Sequence, residues 1–357
     1  MFTECDAPVS RVPGSMATVR SQVARLLPPC RTLFAACCLC VLTASSGMAR
    51  ELERVTVVLQ WQHQAQFAGY YMAQAKGYYA QRGLDVRIMR GGPDVRVGER
   101  LRAGEADFGS LMLCTALNER ARGVSLVHLT QVVNRGNFLL VAWRNPAEGS
   151  TIGELADLDR RSVSLWLEDF RAPYLALFHA RDVRPSILPQ YNTFSLFLHR
   201  GVDAFAGMRY NEFHTLLQSG IGEDEVRVFA LRDYGIQLPE DGLYAMSETW
   251  QRRPRICKAF VRASLDGWRY ARDYSEETLD VVMQYINEHQ LPTNRAHMRW
   301  MLKEIIASVF PGPEDRWTVG RLSGDDYEAA LELLTRHADL QDAPSYDAFV
   351  VGEAVNE

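Results

Sequence analysis

The chain has 357 residues, 47% hydrophobic and 23% charged, with a formal net charge of −5. At roughly 100–200 residues per domain this length predicts two domains, and the composition is that of a globular protein, too polar to sit within a membrane. The acidic balance excludes a nucleic-acid surface or a binder of acidic lipid, since both need a basic face, and leaves a small molecule as the expected partner.

The first fifty residues differ from the rest. Arg20, Arg25 and Arg31 precede an apolar run at 32–44, and the small residues Gly47 and Ala49 follow it. The run is shorter than the roughly 20 residues a bilayer requires, so residues 1–49 read as a secretion signal cleaved before Arg50. The mature protein is then expected in the periplasm. An internal start at Met16 would give a more conventional signal, and a retained helix or a lipid anchor at Cys37, Cys38 or Cys40 is the alternative. Five of the seven cysteines lie in this segment. The remaining two, Cys114 and Cys257, are expected as buried small hydrophobes, with a bridge between them left open by an oxidising compartment. The eight histidines are scattered without metal-site spacing, and neither a metal nor a cofactor is expected.

From Val55 onward strand-like and helix-like segments alternate: strand 55–59, helix 67–82, strand 84–88, helix 95–103, strand 107–109. A second round runs through strand 162–165, helices near 174–181 and 194–199, strand 203–207 and helix 211–218. Such βα alternation predicts parallel sheets faced by helices, hence an α/β protein of two lobes. The apolar runs 138–143 and 243–246 bracket the second round and are expected to carry the chain between lobes. Lobe 1 is then discontinuous, 50–143 plus 243–357, and lobe 2 is 144–242. After Glu248 the pattern turns helical at 255–274, 276–289 and 294–310, with breaks at Ser275 and Pro292. A last helix, 325–337, has Ser323 as its N-cap and acids in its first turn.

Ligands of open α/β sheets bind outside the carboxyl ends of the strands, which points to the turns after Leu59, Gly109, Leu165 and Gly207. The first turn holds Trp61, His63, Gln66, Phe67 and Tyr70, whose flat faces and amide edges suit a planar heterocycle; for Phe67, Tyr70 and Tyr71 the alternative is helix core. Ser110 follows the third strand, at an expected helix start, as a polar ligand contact or an N-cap. Trp166 and Phe170 flank the acids Glu168 and Asp169 in the second lobe. Tyr210, Asn211 and Glu212 follow the strand 203–207, where the carboxylate either accepts hydrogen bonds from an aminopyrimidine or complements the helix dipole. There is no Gly-x-Ser-x-Gly elbow or phosphate loop, and adjacent acids need not face each other. No catalytic residue, and no enzyme, is expected.

The order Trp61-x-His63-Gln64-Ala65-Gln66-Phe67-Ala68-Gly69-Tyr70-Tyr71, then Lys76-Gly77-Tyr78-Tyr79, Gly83-Leu84-Asp85-Val86 and Gly104-Glu105-Ala106-Asp107-Phe108-Gly109, resembles the NMT1/THI5-like family of type II periplasmic binding proteins. Arg122-Gly123, Val202-Asp203-Ala204 and Tyr210-Asn211-Glu212 extend the match over about 55–250. The resemblance implies two α/β lobes joined by a two-crossover hinge, with C-terminal helices on lobe 1. It also implies a monomeric importer component that holds a formylaminopyrimidine-like thiamin precursor between the lobes and delivers it to a membrane ABC permease. Riboflavin or alkylsulfonate binding, and sensing for a signalling partner, are alternatives within the family. The yeast thiamin-pyrimidine synthases of the family carry a lysine, a histidine and a Cys-rich stretch; laid along this chain these fall at Leu111, Thr115 and 237–241. A leucine forms no Schiff base.

Overall fold

The computed structural model describes residues 51–312, 319–338 and 340–352, without the side chains of Glu168 and Asp169. The secretion-signal and lipid-anchor readings of residues 1–49 lie outside the described residues, as do the paired carboxyls of Glu168 and Asp169.

Strand β1 (Glu53–Val58) pairs in parallel with β2 (Leu84–Met89) and β3 (Phe108–Met112). Helices α1 (Ala68–Ala75), α2 (Tyr78–Gln81) and α3 (Val97–Arg102) connect them, and α4 (Leu113–Ala121) leads into β4 (Leu126–Gln131). A second sheet comes next in the chain. It is made from β5 (Phe138–Trp143), β6 (Ser162–Trp166), α5 (Ala172–Ala180), β7 (Ser186–Gln190), α6 (Ser195–Leu198), β8 (Ala204–Met208), α7 (Glu212–Gln218) and β9 (Val226–Ala230). The chain returns as β10 (Asp241–Met246) and ends in α8 (Ser247–Arg252), α9 (Pro254–Asp273), α10 (Ser275–Glu288), α11 (Arg295–Val309), α12 (Gly324–His337) and α13 (Tyr346–Phe349).

The two strand orders, β2-β1-β3-β10-β4 and β7-β6-β8-β5-β9, repeat one pattern. In each sheet a parallel trio is followed by an antiparallel strand, β10 or β5, that adjoins a crossover. The crossovers run side by side: the Glu240 amide donates to the Val133 carbonyl, and the Val132 and Val133 amides donate to the Asp241 carbonyl, each at 2.9 Å. Two α/β sheets were expected from the alternation, but each is mixed rather than parallel, because β10 and β5 enter antiparallel from the crossovers.

Strands β4, β7 and β9 have no counterpart in the sequence reading, and three further elements differ from it. Strand β5 was expected to close the first lobe, yet it lies inside the second sheet between β8 and β9, so the outgoing crossover occupies 132–137 rather than the region of Trp143. The helix read over 67–82 is a 3-10 turn (Ala65–Phe67) followed by α1 and α2, because Gly77 at φ +70° turns the chain between them. Ser110 lies within β3, opposite Leu243 of β10, and the helix begins three residues later.

Strands β3, β4, β5 and β8 are buried along their whole length, as sheets covered on both faces require. In β5, Phe138, Leu140 and Ala142 join the principal core while Leu139, Val141 and Trp143 join a smaller one, the alternation a pleated strand imposes. Helix α9 starts on Pro254 and buries Cys257, Phe260, Val261, Leu265 and Trp268. It crosses α1 so closely that a Cβ at Gly267 would overlap the Gly69 carbonyl oxygen, and a Cβ at Gly69 the Trp268 ring. The crossing holds Tyr70 against Trp268, ring centroids 6.0 Å apart. Ser323 caps α12 as the sequence predicts, its Oγ accepting from the Asp326 amide at 3.0 Å. Cys114 and Cys257 are buried thiols with no disulfide between them. Among the described residues no helix is long and apolar enough to cross a membrane.

Candidate functional site

Because β10 runs antiparallel to β3, its first residue, Asp241, stands beside Met112 at the carboxyl end of β3. The Asp241 side chain is buried, 2% exposed. Gln60, in the turn after β1, donates from Nε2 to one carboxyl oxygen of Asp241 and accepts from the Met112 amide at 2.8 Å. Gln66, in the 3-10 turn ahead of α1, donates from Nε2 to the other at 2.9 Å, and its own Oε1 accepts from Gln64 at 2.5 Å. One buried carboxyl therefore ties together the turns after β1 and β3 and the strand returning from the second sheet.

The Tyr70 hydroxyl lies near Ser110 and Trp268, and neither it nor the buried Ser110 hydroxyl makes a hydrogen bond of good geometry. Glu240 precedes Asp241 in the returning crossover. Its Oε1 accepts from the Asn137 amide, and its Oε2 is buried with no partner. Tyr174 of α5 and Tyr210 after β8 are both buried: the Tyr174 hydroxyl donates to the Leu139 carbonyl at 3.1 Å and its phenol responds to Glu212 and Glu240, while the Tyr210 phenol responds to Glu240, Asp241 and Glu212. Three carboxyls, Asp241, Glu240 and Glu212, thus act electrostatically on the buried Tyr70, Tyr174 and Tyr210.

Burial dominates the electrostatics. It pushes Asp241 up to about 7 against the opposing hydrogen bonds from Gln66 and Gln60, and it lifts Glu240 well above the carboxylate range with help from the Asp241 charge. Glu212 is raised by burial, with the Met208 amide opposing. The Tyr70 and Tyr210 phenols are driven well above their ordinary range by burial first and then by these carboxyls. Groups perturbed by burial and by specific charged neighbours cluster at functional sites, and acids beside tyrosines supply hydrogen-bonding groups.

The remaining predicted site residues divide. Glu212 reaches back to accept from the Met208 amide at 2.8 Å and from the Asn211 side chain at 2.9 Å, so both its oxygens serve the turn after β8. Asn211 Oδ1 lies 3.0 Å from His297 Nε2. Trp166 meets Phe170 and Tyr174 edge-on, centroids 6.2 Å apart in each case. Phe67 is fully buried in the principal core and Trp61 packs half-buried at its edge. His63 is not brought to the acid cluster. Its Nδ1 lies 3.0 Å from the Tyr71 hydroxyl, and its ring packs on His289 and Tyr285 of α10 at centroid distances of 4.2 and 5.2 Å. Burial, then the charges of His289 and Arg90, lowers it to about 4.

A family model described as NMT1/THI5 like matches residues 64–278, more than half of the chain. The chain belongs to this family. Among relatives of this NMT1/THI5-like protein is the riboflavin-binding protein RibY of Chloroflexus aurantiacus, 26% identical over 307 residues, covering 82% of this chain and 85% of that one. The 4-amino-5-hydroxymethyl-2-methylpyrimidine phosphate synthase THI5 of Saccharomyces cerevisiae is 27% identical over 82 residues, 23% of this chain and 24% of the yeast protein. Similar solved structures include the alkanesulfonate-binding protein SsuA from Xanthomonas axonopodis pv. citri bound to MOPS, at a TM-score of 0.61, 16% identity and coverage of 84% of this chain and 98% of that one. The aliphatic sulphonate binding protein SsuA of Escherichia coli gives a TM-score of 0.58 at 16% identity, covering 81% and 86%. The NMT1/THI5-like chain therefore has the periplasmic binding-protein fold.

Sequence reasoning missed Gln60, Glu240 and Asp241. The rule of strand carboxyl ends was applied to parallel strands, whereas Asp241 begins its strand and reaches the same edge only because β10 is antiparallel. A readable signal was present, since the Glu240-Asp241 pair leads directly into an apolar strand and the sheet must bury it.

Proposed function

We propose that this protein is the solute-binding component of an ABC-type importer, exported to the periplasm, which takes up a small planar nitrogen heterocycle between two lobes built on the two sheets. The favoured ligand is a thiamin-type pyrimidine precursor. The observation that carries this reading is the buried Asp241 carboxyl, fixed by Gln60 and Gln66 beside the carboxyl end of β3: it offers acceptors to ring and exocyclic N–H groups. Tyr210 and the Trp166–Phe170 pair supply flat faces from the second lobe. Ligand contact with both lobes is what would favour a closed form, and a membrane permease would recognise that form of the monomer.

Riboflavin binding is the second reading, favoured by the match to RibY across 82% of the chain. An isoalloxazine ring also presents N–H and carbonyl groups on one edge. Synthase chemistry is disfavoured by Leu111, buried in β3, and Thr115 in α4, neither of which supplies the amine or imidazole of the yeast enzymes.

The test is the native ligand. Protein purified without unfolding is denatured, and the released small molecules are identified by mass spectrometry; a pyrimidine or a flavin supports the reading, and an alkylsulfonate overturns it.

A further inference from the structure

Helix α11 follows β10 in the chain and touches both sides of the molecule: it packs on the 3-10 turn ahead of α1 and on α7 of the second sheet. The contact with α7 is made by two histidines. His297 Nδ1 lies 2.9 Å from Nδ1 of His214, with the rings parallel to within 10° and their centroids 5.2 Å apart. The proton between them has a definite place. Asn211 donates from Nδ2 to Glu212 at 2.9 Å, so its Oδ1 accepts from His297 Nε2–H at 3.0 Å. His297 Nδ1 is then a lone pair, and His214 Nδ1 carries the hydrogen that closes the pair. Trp300 of α11 stacks on the His214 ring at a centroid distance of 4.7 Å and donates from Nε1 to the Arg209 carbonyl at 3.0 Å. At a second crossing α12 packs on α5, and there His337 faces His179 at 5.4 Å.

We propose that His214 and His297 are an acid-labile latch: at neutral pH the pair ties α11 to α7 and holds the two sides of the molecule together, and acidification parts them and lets the solute go. Solute release rests on the proposed function; the latch itself does not. The pair tolerates one proton, since a charged His214 still donates to His297. A second sets N–H against N–H and charge against charge. Burial lowers His214, and burial followed by the His214 charge lowers His297 from 6.5 to about 4. A ring released into water returns to its ordinary range. The parted form therefore binds more protons between about 6.5 and 4, so the latch is fully present above that window and is lost as pH falls through it. Among the described residues no carboxylate bonds to either ring. Glu212 of α7 is turned onto the Met208 amide and Asn211, and Arg295 and Arg299 of α11 are held by Glu276 and Asp280 of α10. The turn after β8 brings Arg209, and the 3-10 turn brings the uncharged Gln66. At the second crossing Arg336 pairs with Glu332 of its own helix, and Arg181 lies over the Tyr234 ring.

The test is small-angle scattering of solute-free protein expressed from the full chain, as wild type, His297→Gln and His297→Leu, at about pH 7.5 and about pH 5, on either side of the ordinary histidine range. Glutamine offers an acceptor to His214 and a donor to Asn211 and does not titrate. The radius of gyration of wild type should rise on acidification, and that of His297→Gln by about half as much or less, since only the second crossing still responds. His297→Leu should be expanded at both values; if it does not fold, wild type against glutamine decides. Calorimetric titration with riboflavin and with 4-amino-5-hydroxymethyl-2-methylpyrimidine gives the second readout. Between the same two pH values wild type should lose about fivefold more affinity for the better probe than His297→Gln, while the titration of Asp241 is common to both and cancels. An equal rise in radius in wild type and His297→Gln, or affinity losses within about twofold of each other, would overturn the proposal. Wild type that binds neither probe would remove the functional reading instead, and the scattering comparison would still decide the latch.

Discussion

Gln66 and Asp241, 175 positions apart in sequence, meet in a buried 2.9 Å hydrogen bond that joins the turn after the first strand to the strand returning from the second sheet. The contact closes a long loop of chain around the candidate site and leaves the Asp241 carboxyl dependent on amide donors for its solvation. Gln66→Leu removes one of them. It should lower stability by about 1–3 kcal/mol and weaken ligand binding, measured by urea unfolding and by titration of the same preparation.

Asp241 also sets a pH dependence whose sign is fixed by its shift. The group ionises near 3.8 in an unfolded chain and at about 7 in the folded one. Between about 4 and 7 the folded state keeps a proton that the unfolded state has lost, so this group's contribution makes stability fall as pH rises through that window and level off above it. Asp241→Asn should remove that slope, read from urea midpoints at intervals between pH 4 and 8.

The buried histidines act in the opposite direction. Burial is the leading cause that lowers His63, His128 and His297 from 6.5 to about 4. In each the unfolded state takes up a proton first as pH falls, and stability is lost between about 6.5 and 4. Replacing His128, which is 0% exposed, with glutamine should reduce the acid-side loss in the same unfolding series and leave the alkaline side unchanged.

Gly267→Ala tests the helix crossing that positions Tyr70. The added Cβ meets a backbone carbonyl, that of Gly69, rather than a side chain able to move aside. Overpacking of this kind costs about 1–3 kcal/mol or more, so the thermal midpoint should drop well below that of Gly324→Ala, a position with nothing near its Cβ.

Glu212→Ala should cost about 1–2 kcal/mol through loss of the bond to the buried Met208 amide. Glu212→Gln retains an acceptor there and should recover most of that loss, as denaturant midpoints would report.

The two sheets and many of their elements were legible because period and punctuation carry them: the βα alternation from Val55, the Pro254 and Ser323 helix starts, and the apolar run of β5. What escaped was pairing. Nothing local to Phe138–Trp143 says that it lies between β8 and β9, since a strand buried on both faces reads the same in either sheet. Of the candidate site, the part that parallel strands deliver was legible, with Gln66, Tyr70, Ser110 and Tyr210 as its expected residues. Gln60 and the Glu240-Asp241 pair depend on an antiparallel return after more than a hundred residues, which spacing does not encode. His63 looked like a ligand group by its aromatic neighbours in sequence, and its neighbours in space, Tyr285 and His289, belong to a helix far along the chain.

The most direct test of the account is titration of wild type and Asp241→Asn, each unfolded and refolded to remove carried ligand, with an aminopyrimidine, riboflavin and an alkylsulfonate. Wild type should bind one of the heterocycles at micromolar affinity or better, about −8 kcal/mol, and the sulfonate much more weakly, with Asp241→Asn losing about tenfold or more. Selective sulfonate binding, or heterocycle affinity unchanged in Asp241→Asn, would contradict it.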